Sequence, residues 1–192
     1  MLVLADSLGL PTVAVFAPEA AGHSWWPVSF LAPFDALEPW LDSALDAVGH
    51  ALATIRDEGF ADEQIVLFGF SQGGCLALEA VARRGGRVGA VAGFSSALIG
   101  TREDPKRPPI RGYPEKALLY DRRLEDVPVL LSCHEEDPHI PLSRVRDTEA
   151  ALQALGGSVH LRLKPGAGHG IDAQDVAALR GLLNRPTSEQ RP

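Results

Sequence analysis

The chain is poor in cysteine, in clustered positive charge and in long apolar runs, and each shortage excludes something. Two cysteines, Cys75 and Cys133, are too few for a disulfide framework, and 192 residues need none to hold a core. They lie in apolar stretches of two different elements and read as buried free thiols of a reducing, cytoplasmic setting. Cys133 and His134 are adjacent, so in a strand their side chains point to opposite faces; no zinc site is expected. Eighteen Lys and Arg stand against 25 Asp and Glu, a net charge of −7. With no dense basic cluster, a nucleic-acid or anionic-membrane partner is not expected. No apolar run is long enough to span a bilayer. The opening "MLVLADSLGL" lacks a basic region and meets Asp6 too early for a secretory signal. Repeats and low-complexity tracts are absent as well.

What is present is a globular composition, 45% apolar and 22% charged. The length suits one domain, expected over residues 1–185, with a frayed polar tail at 186–192. Short apolar runs at 12–17, 65–70, 88–95, 127–133 and 158–163 read as strands. All but the last are almost continuously apolar, which belongs to a mostly parallel sheet covered on both faces. Between them run helical patterns. Leu37, Leu41, Ala44, Leu45, Val48, Leu52 and Ile55 mark one, with Pro39 in its first turn and Gly59 at its stop. Residues 72–84 form a second, apolar nearly all round. Leu142, Val145, Leu152 and Leu155 mark a third, and Asp172 caps a fourth. The fold class is α/β, a mostly parallel sheet with helices on both faces and a minimal cap.

Two segments fit no regular element. Residues 18–35 carry Trp25, Trp26, Phe30 and Phe34 among prolines and glycines, aromatics that either cap the core or wall a pocket. Residues 101–126 are charged and proline-rich, which reads as a solvated excursion or a lid.

The most informative stretch is "GFSQGG", residues 69–74, between an apolar strand pattern and an apolar helix pattern. Gly69-Phe70-Ser71-Gln72-Gly73 fits the G-x-S-x-G turn in which a nucleophilic serine occupies a strained strand-to-helix corner. A serine hydroxyl needs a positioned base, and the base needs an orienting carboxylate. In an α/β-hydrolase sheet these follow in the order Ser, acid, His. The strand at 127–133 runs into "HEEDPHIP", offering Glu135, Glu136 and Asp137; spacing alone does not choose among them. The strand at 158–163 runs into "KPGAGHGID", offering His169 between Gly168 and Gly170. His50 and His160 lie inside elements, His23 precedes the serine, and His134 and His139 share the acid's own loop.

With these motifs the chain resembles the phospholipase/carboxylesterase family of small α/β-hydrolases, relatives of acyl-protein thioesterases and dienelactone-hydrolase-like esterases. "GFSQGG" is similar to that family's nucleophile turn, "DPHIP" to its acid loop, "PGAGHGI" to its histidine loop, and "APEAAGHSWWPVSF" to a loop that helps wall its acyl pocket. The resemblance implies Ser71 as nucleophile, His169 as base, Asp137 as orienter, and the backbone N–H of Gln72 as an oxyanion donor. It makes Trp25, Trp26, Phe30, Leu98 and Ile99 the expected pocket walls. Dienelactone hydrolases carry cysteine at the turn, and this chain has serine there.

The family pattern opens with a further strand and an "HG-x-G" loop that supplies a second oxyanion donor. "MLVLADSLGL" resembles the helix after that loop, so the expectation is a gap in the sheet between the 12–17 and 65–70 strands. The implied activity is hydrolysis of short to medium acyl esters through an acyl-enzyme, with no metal or organic cofactor. The same motifs leave open a thioesterase or lysophospholipase, and a truncated paralogue that binds small acyl compounds without turnover. The unpaired strand edge is expected either to make the chain poorly soluble or to pair with another chain, a second copy being one candidate.

Overall fold

A computed structural model of the protein describes residues 4–5, 8–85 and 87–185. Met1–Val3, part of the opening "MLVL", and the tail from residue 186 lie outside the described residues. A four-stranded, wholly parallel sheet runs in the order β1 (Val66–Phe70), β2 (Ala90–Phe94), β5 (Pro128–Glu136), β6 (Ser158–Ala167). Helices α1 (Phe34–Asp57), α2 (Gln72–Arg84), α3 (Leu142–Ala154) and α4 (Ala173–Leu183) complete the layers. A two-stranded antiparallel ribbon, β3 (Arg102–Glu103) with β4 (Lys116–Ala117), lies in the charged segment.

The helical spacings bury the residues they single out. Leu37, Leu41, Ala44, Leu45 and Val48 form the inner stripe of α1. That helix starts at Phe34, earlier than the leucine spacing alone indicates, so Pro39 falls in its second turn. Gly59, with φ +94, takes the left-handed conformation that ends it. α2 is buried from Gly74 through Ala82. Asp172 caps α4, accepting from the N–H groups of Gln174 and Asp175.

The first expected strand is corrected. Residues 12–17 form no strand and pair with no described strand, and most of them are exposed. A parallel strand needs a neighbour at about 4.8 Å to satisfy its peptide groups. Here a cavity of about 1100 Å³ lies between this segment and β1, lined by Val13, Val15 and Phe16 on one side and by Val66–Gly69 on the other. Phe16 meets Phe60 edge-on, ring centroids 6.5 Å apart, and both remain exposed. β1 is therefore an edge among the described strands, partly exposed, whereas β2, paired on both sides, is wholly buried. Among the described residues, a cavity and no strand lies between residues 12–17 and β1.

The charged segment 101–126 is corrected too, because its centre is buried. Arg144, fully buried on α3, donates to Glu115 Oε1 and to the carbonyls of Lys116 (both 2.6 Å), Leu98 (2.9 Å) and Ile99. Lys116 donates to the carbonyls of Phe30 (2.8 Å) and Ala32 (2.7 Å), and burial lowers its pKa to about 8. Glu79, inside α2, accepts from Arg83, from the Tyr120 hydroxyl and from the Ile99 N–H. Buried charges persist when they are paired and hydrogen-bonded, and each of these has such partners. The segment is a tied strap that ends by gripping the aromatic loop.

Removing one partner from such a network leaves the other charge buried and unpaired. Arg144→Ala should lower unfolding free energy in urea by about 3–5 kcal/mol. Arg146→Ala, which breaks the exposed Arg146–Glu149 pair, should change it by under about 0.5 kcal/mol. Equal small effects from both would contradict a structural role for the network.

Candidate active site

The turn after β1 is built by close backbone approach. Ser71 has φ +52 and ψ −122, a conformation costing on the order of 1–3 kcal/mol. A Cβ on Gly69 would lie 2.2 Å from the Gly73 carbonyl oxygen, and one on Gly74 would lie 2.6 Å from Ser96 Oγ. A Cβ on Gly73 would meet nothing within 4 Å. The steric demand thus falls on Gly69 and Gly74, while the second glycine of the sequence motif is sterically free. The corner is held by hydrogen bonds from Ser71 N to Phe94 O and from Cys75 N to Ser71 O, each 2.9 Å.

Ser71, Asp137 and His169 come from three loops, each at the carboxyl end of a parallel strand, and they meet. His169 Nε2 lies 2.9 Å from Ser71 Oγ, and His169 Nδ1 lies 2.8 Å from Asp137 Oδ2. Asp137 is buried, and Oδ1 accepts the backbone N–H groups of His139 (2.8 Å) and Ile140 (2.9 Å). Burial alone would raise its pKa. The Ile140 and His139 N–H groups and the His169 ring outweigh this, and the carboxyl is held below its ordinary range. Of the other two acids on the loop, Glu135 and Glu136 are both exposed.

The imidazole is fixed in position. Its ring sits between Phe70 (centroids 4.9 Å) and His139 (4.7 Å, nearly perpendicular). The loop carrying it is pinned where Lys164 Nζ donates to Gly170 O (2.6 Å) and to the buried carboxylate of Asp175 (2.9 Å), and where Gly170 N donates to Ser95 Oγ (3.2 Å). Of the surrounding glycines, Gly166 needs its φ of +75, and a Cβ on Gly168 would strike the His134 ring at 2.7 Å.

Gln72 has a role beyond its backbone. As the first residue of α2 its N–H has no intrahelical acceptor. Its side chain bridges to the aromatic loop, accepting from Trp25 N (2.8 Å) and donating to Trp26 O (2.9 Å). A glutamine beside the serine is the only sequence signal for that latch.

Ser71 opens on a cleft of about 360 Å³ that Trp26 and Phe30 line, with Cys75 and Ile140. The other expected walls lie elsewhere. Trp25 faces the larger cavity beside β1. Leu98 and Ile99 are fully buried in the core, because the segment after β2 turns inward to meet Arg144 and Glu79. Sequence reasoning missed Arg111, Tyr113 and His139, which line the same cleft. Cys75 and Cys133 are free and buried, and burial pushes both thiols up to about 12, so neither supplies a thiolate. Among the described residues no three His, Cys, Asp or Glu side chains gather as metal ligands, and no helix is long and apolar enough to cross a membrane.

A sequence model described as Phospholipase/Carboxylesterase matches residues 18–185. An acyl-protein thioesterase 1 from Gibberella zeae is 30% identical over 129 residues, 67% of this chain and 51% of that protein. The chain thus spans about half the length of that curated relative. A crystal structure of a phospholipase/carboxylesterase from Dyadobacter fermentans superposes with a TM-score of 0.81 at 33% identity, over 96% of this chain and 82% of that one. The crystal structure of esterase PE8 shares the fold, with a TM-score of 0.69 at 22% identity over 95% of this chain and 83% of the other. The fold is that of the α/β-hydrolases, and the strained serine turn, the acid loop and the histidine loop all lie within the matched span: the chain belongs to the phospholipase/carboxylesterase family.

Proposed function

We propose that the protein is a serine hydrolase acting on short to medium acyl esters through Ser71, His169 and Asp137. The observation that carries this is the hydrogen-bonded chain from Ser71 Oγ through His169 to the buried Asp137. His169 takes the hydroxyl proton as Oγ attacks the acyl carbonyl, and the carbonyl oxygen becomes negative. The N–H of Gln72, at the amino end of α2, is the donor assigned to that oxyanion. His169 returns the proton to the departing alcohol, leaving an acyl-enzyme. It then activates water to release the acid. Asp137 holds Nδ1 protonated and stabilises the imidazolium. Thioester hydrolysis uses the same groups, and the 30% identity to an acyl-protein thioesterase favours it as the second reading.

The reading carries a structural cost. β1 holds the serine corner at one end and, among the described strands, is paired on one side only. Buried unpaired peptide groups cost about 1–3 kcal/mol each. We propose that this edge is covered in solution by a second copy of the chain. Sedimentation velocity at micromolar concentration should give dimers or larger species; a monomer throughout the concentration range would contradict it.

Hydrolysis of p-nitrophenyl butyrate should vanish in Ser71→Ala. It should fall about 10⁴-fold in Asp137→Asn, which holds the wrong tautomer and cannot stabilise the imidazolium. Glu136→Gln should leave turnover near wild type; the reverse pattern would move the acid to Glu136.

Only neutral imidazole accepts the serine proton, so kcat/KM should fall as pH drops. Because the Asp137 carboxyl is held below its ordinary range, it stays ionised across that fall. One ionisation, with a limiting slope of one in log rate against pH, is expected. A slope of two within the histidine range, or a flat profile with chemistry limiting, would contradict the assignment.

A further inference from the structure

The 360 Å³ cleft carries a charge pattern unlike that of the whole chain. Against a net charge of −7, none of its lining residues is Asp or Glu, while Arg111 and His139 both line it. Arg111 has no carboxylate partner among the described residues. It donates instead to two backbone carbonyls of the acid loop, from Nη2 to Asp137 O (2.7 Å) and from Nη1 to Pro138 O. A guanidinium has five N–H donors, so the remaining ones are uncommitted. The Tyr113 hydroxyl, on the same cleft, also has no hydrogen-bond partner among the described residues.

The backbone that presents Arg111 is itself costly. Ile110 and Tyr113 exchange N–H···O bonds of 2.9 and 3.0 Å around a two-residue turn. Both central residues have positive φ, +50 at Arg111 and +81 at Gly112. Such a turn favours Asn or Gly at its first central position, and a long side chain there is strained. Strain of this kind persists where the surrounding structure over-determines it, and functional sites are where it collects. The turn puts a guanidinium, clamped by two carbonyls, on the cleft that holds Ser71. A clamped fork suits a planar carboxylate and loses little freedom on binding it.

We propose that this cleft selects esters bearing a carboxylate a few carbons from the scissile bond, and that Arg111 binds that carboxylate. The inference rests on the hydrolase reading for its chemistry, with the charge recognition separable from it. The anion belongs either to the acyl part or to the alcohol part, and pairs matched in carbon number distinguish the two. On the acyl side the pair is p-nitrophenyl glutarate monoester against p-nitrophenyl valerate. On the alcohol side it is the butyryl ester of 3-hydroxypropanoate against propyl butyrate.

In wild type the charged member of one pair should have kcat/KM about 10–100-fold above its neutral partner, the range of a charge-assisted hydrogen bond. Arg111→Met should bring that ratio to about one, with Arg111→Lys retaining part of it. A wild-type preference for the neutral member in both pairs would overturn the proposal. So would an Arg111→Met variant that slows both members equally, which would make Arg111 only a clamp on the acid loop. Binding of monomethyl glutarate (acyl side) and of 3-(butyryloxy)propanoate (alcohol side) to Ser71→Ala, followed by calorimetry, reads the site without turnover. Affinity for one of them lost at least about 10-fold in Ser71→Ala/Arg111→Met supports it even where no ester is hydrolysed, and equal affinity of both ligands for the two proteins overturns it.

Discussion

The closest approach in the site is between Gly69 and Gly73, where even a methyl group would stand 2.2 Å from a carbonyl oxygen. Everything at the site inherits its place from that contact. Because β1 and α2 close so tightly, Ser71 takes a positive φ and its hydroxyl stands clear of both elements. The same closure makes Gln72 the first residue of α2, with an N–H free of helical bonding. It also makes Gly74 pack against Ser96, coupling the corner to the end of β2.

Two parallel strands away, the carboxyl end of β5 delivers Asp137 into a pocket where burial works against the charged carboxylate. Two backbone N–H groups and one imidazole keep it charged instead. The ring that joins it to Ser71 is held by neighbours that do no chemistry themselves: Phe70, His139, and the Lys164–Asp175 pair beneath its loop. The site is therefore a set of three strand ends brought into register by a parallel sheet, and its precision comes from packed and hydrogen-bonded support behind each residue.

Much of this was legible in the sequence because the responsible signals are local. Apolar runs located β1, β2, β5 and β6, heptad-like spacing located the helices, and glycines around Ser71 and His169 marked the corners. What was not legible depends on long-range pairing. Residues 12–17 have strand composition, yet with no described strand alongside they form none. The charged segment 101–126 looked solvated because no local pattern announces Arg144, which arrives from α3 and draws Glu115 and Lys116 inward. Leu98 and Ile99 are pocket walls by the resemblance, but in the structure that backbone turns into the core. Arg111 gave no signal at all, since its position rests on a turn whose φ angles only coordinates reveal.

The central claim is that the Ser71–His169–Asp137 chain makes Ser71 a nucleophile. The most direct test is to treat the folded protein with a fluorophosphonate, which phosphonylates an activated serine, and to locate the adduct by mass spectrometry. The account predicts one adduct per chain, on Ser71, formed far more slowly in His169→Ala. No adduct on the folded wild-type chain, or one on a different serine, would contradict it.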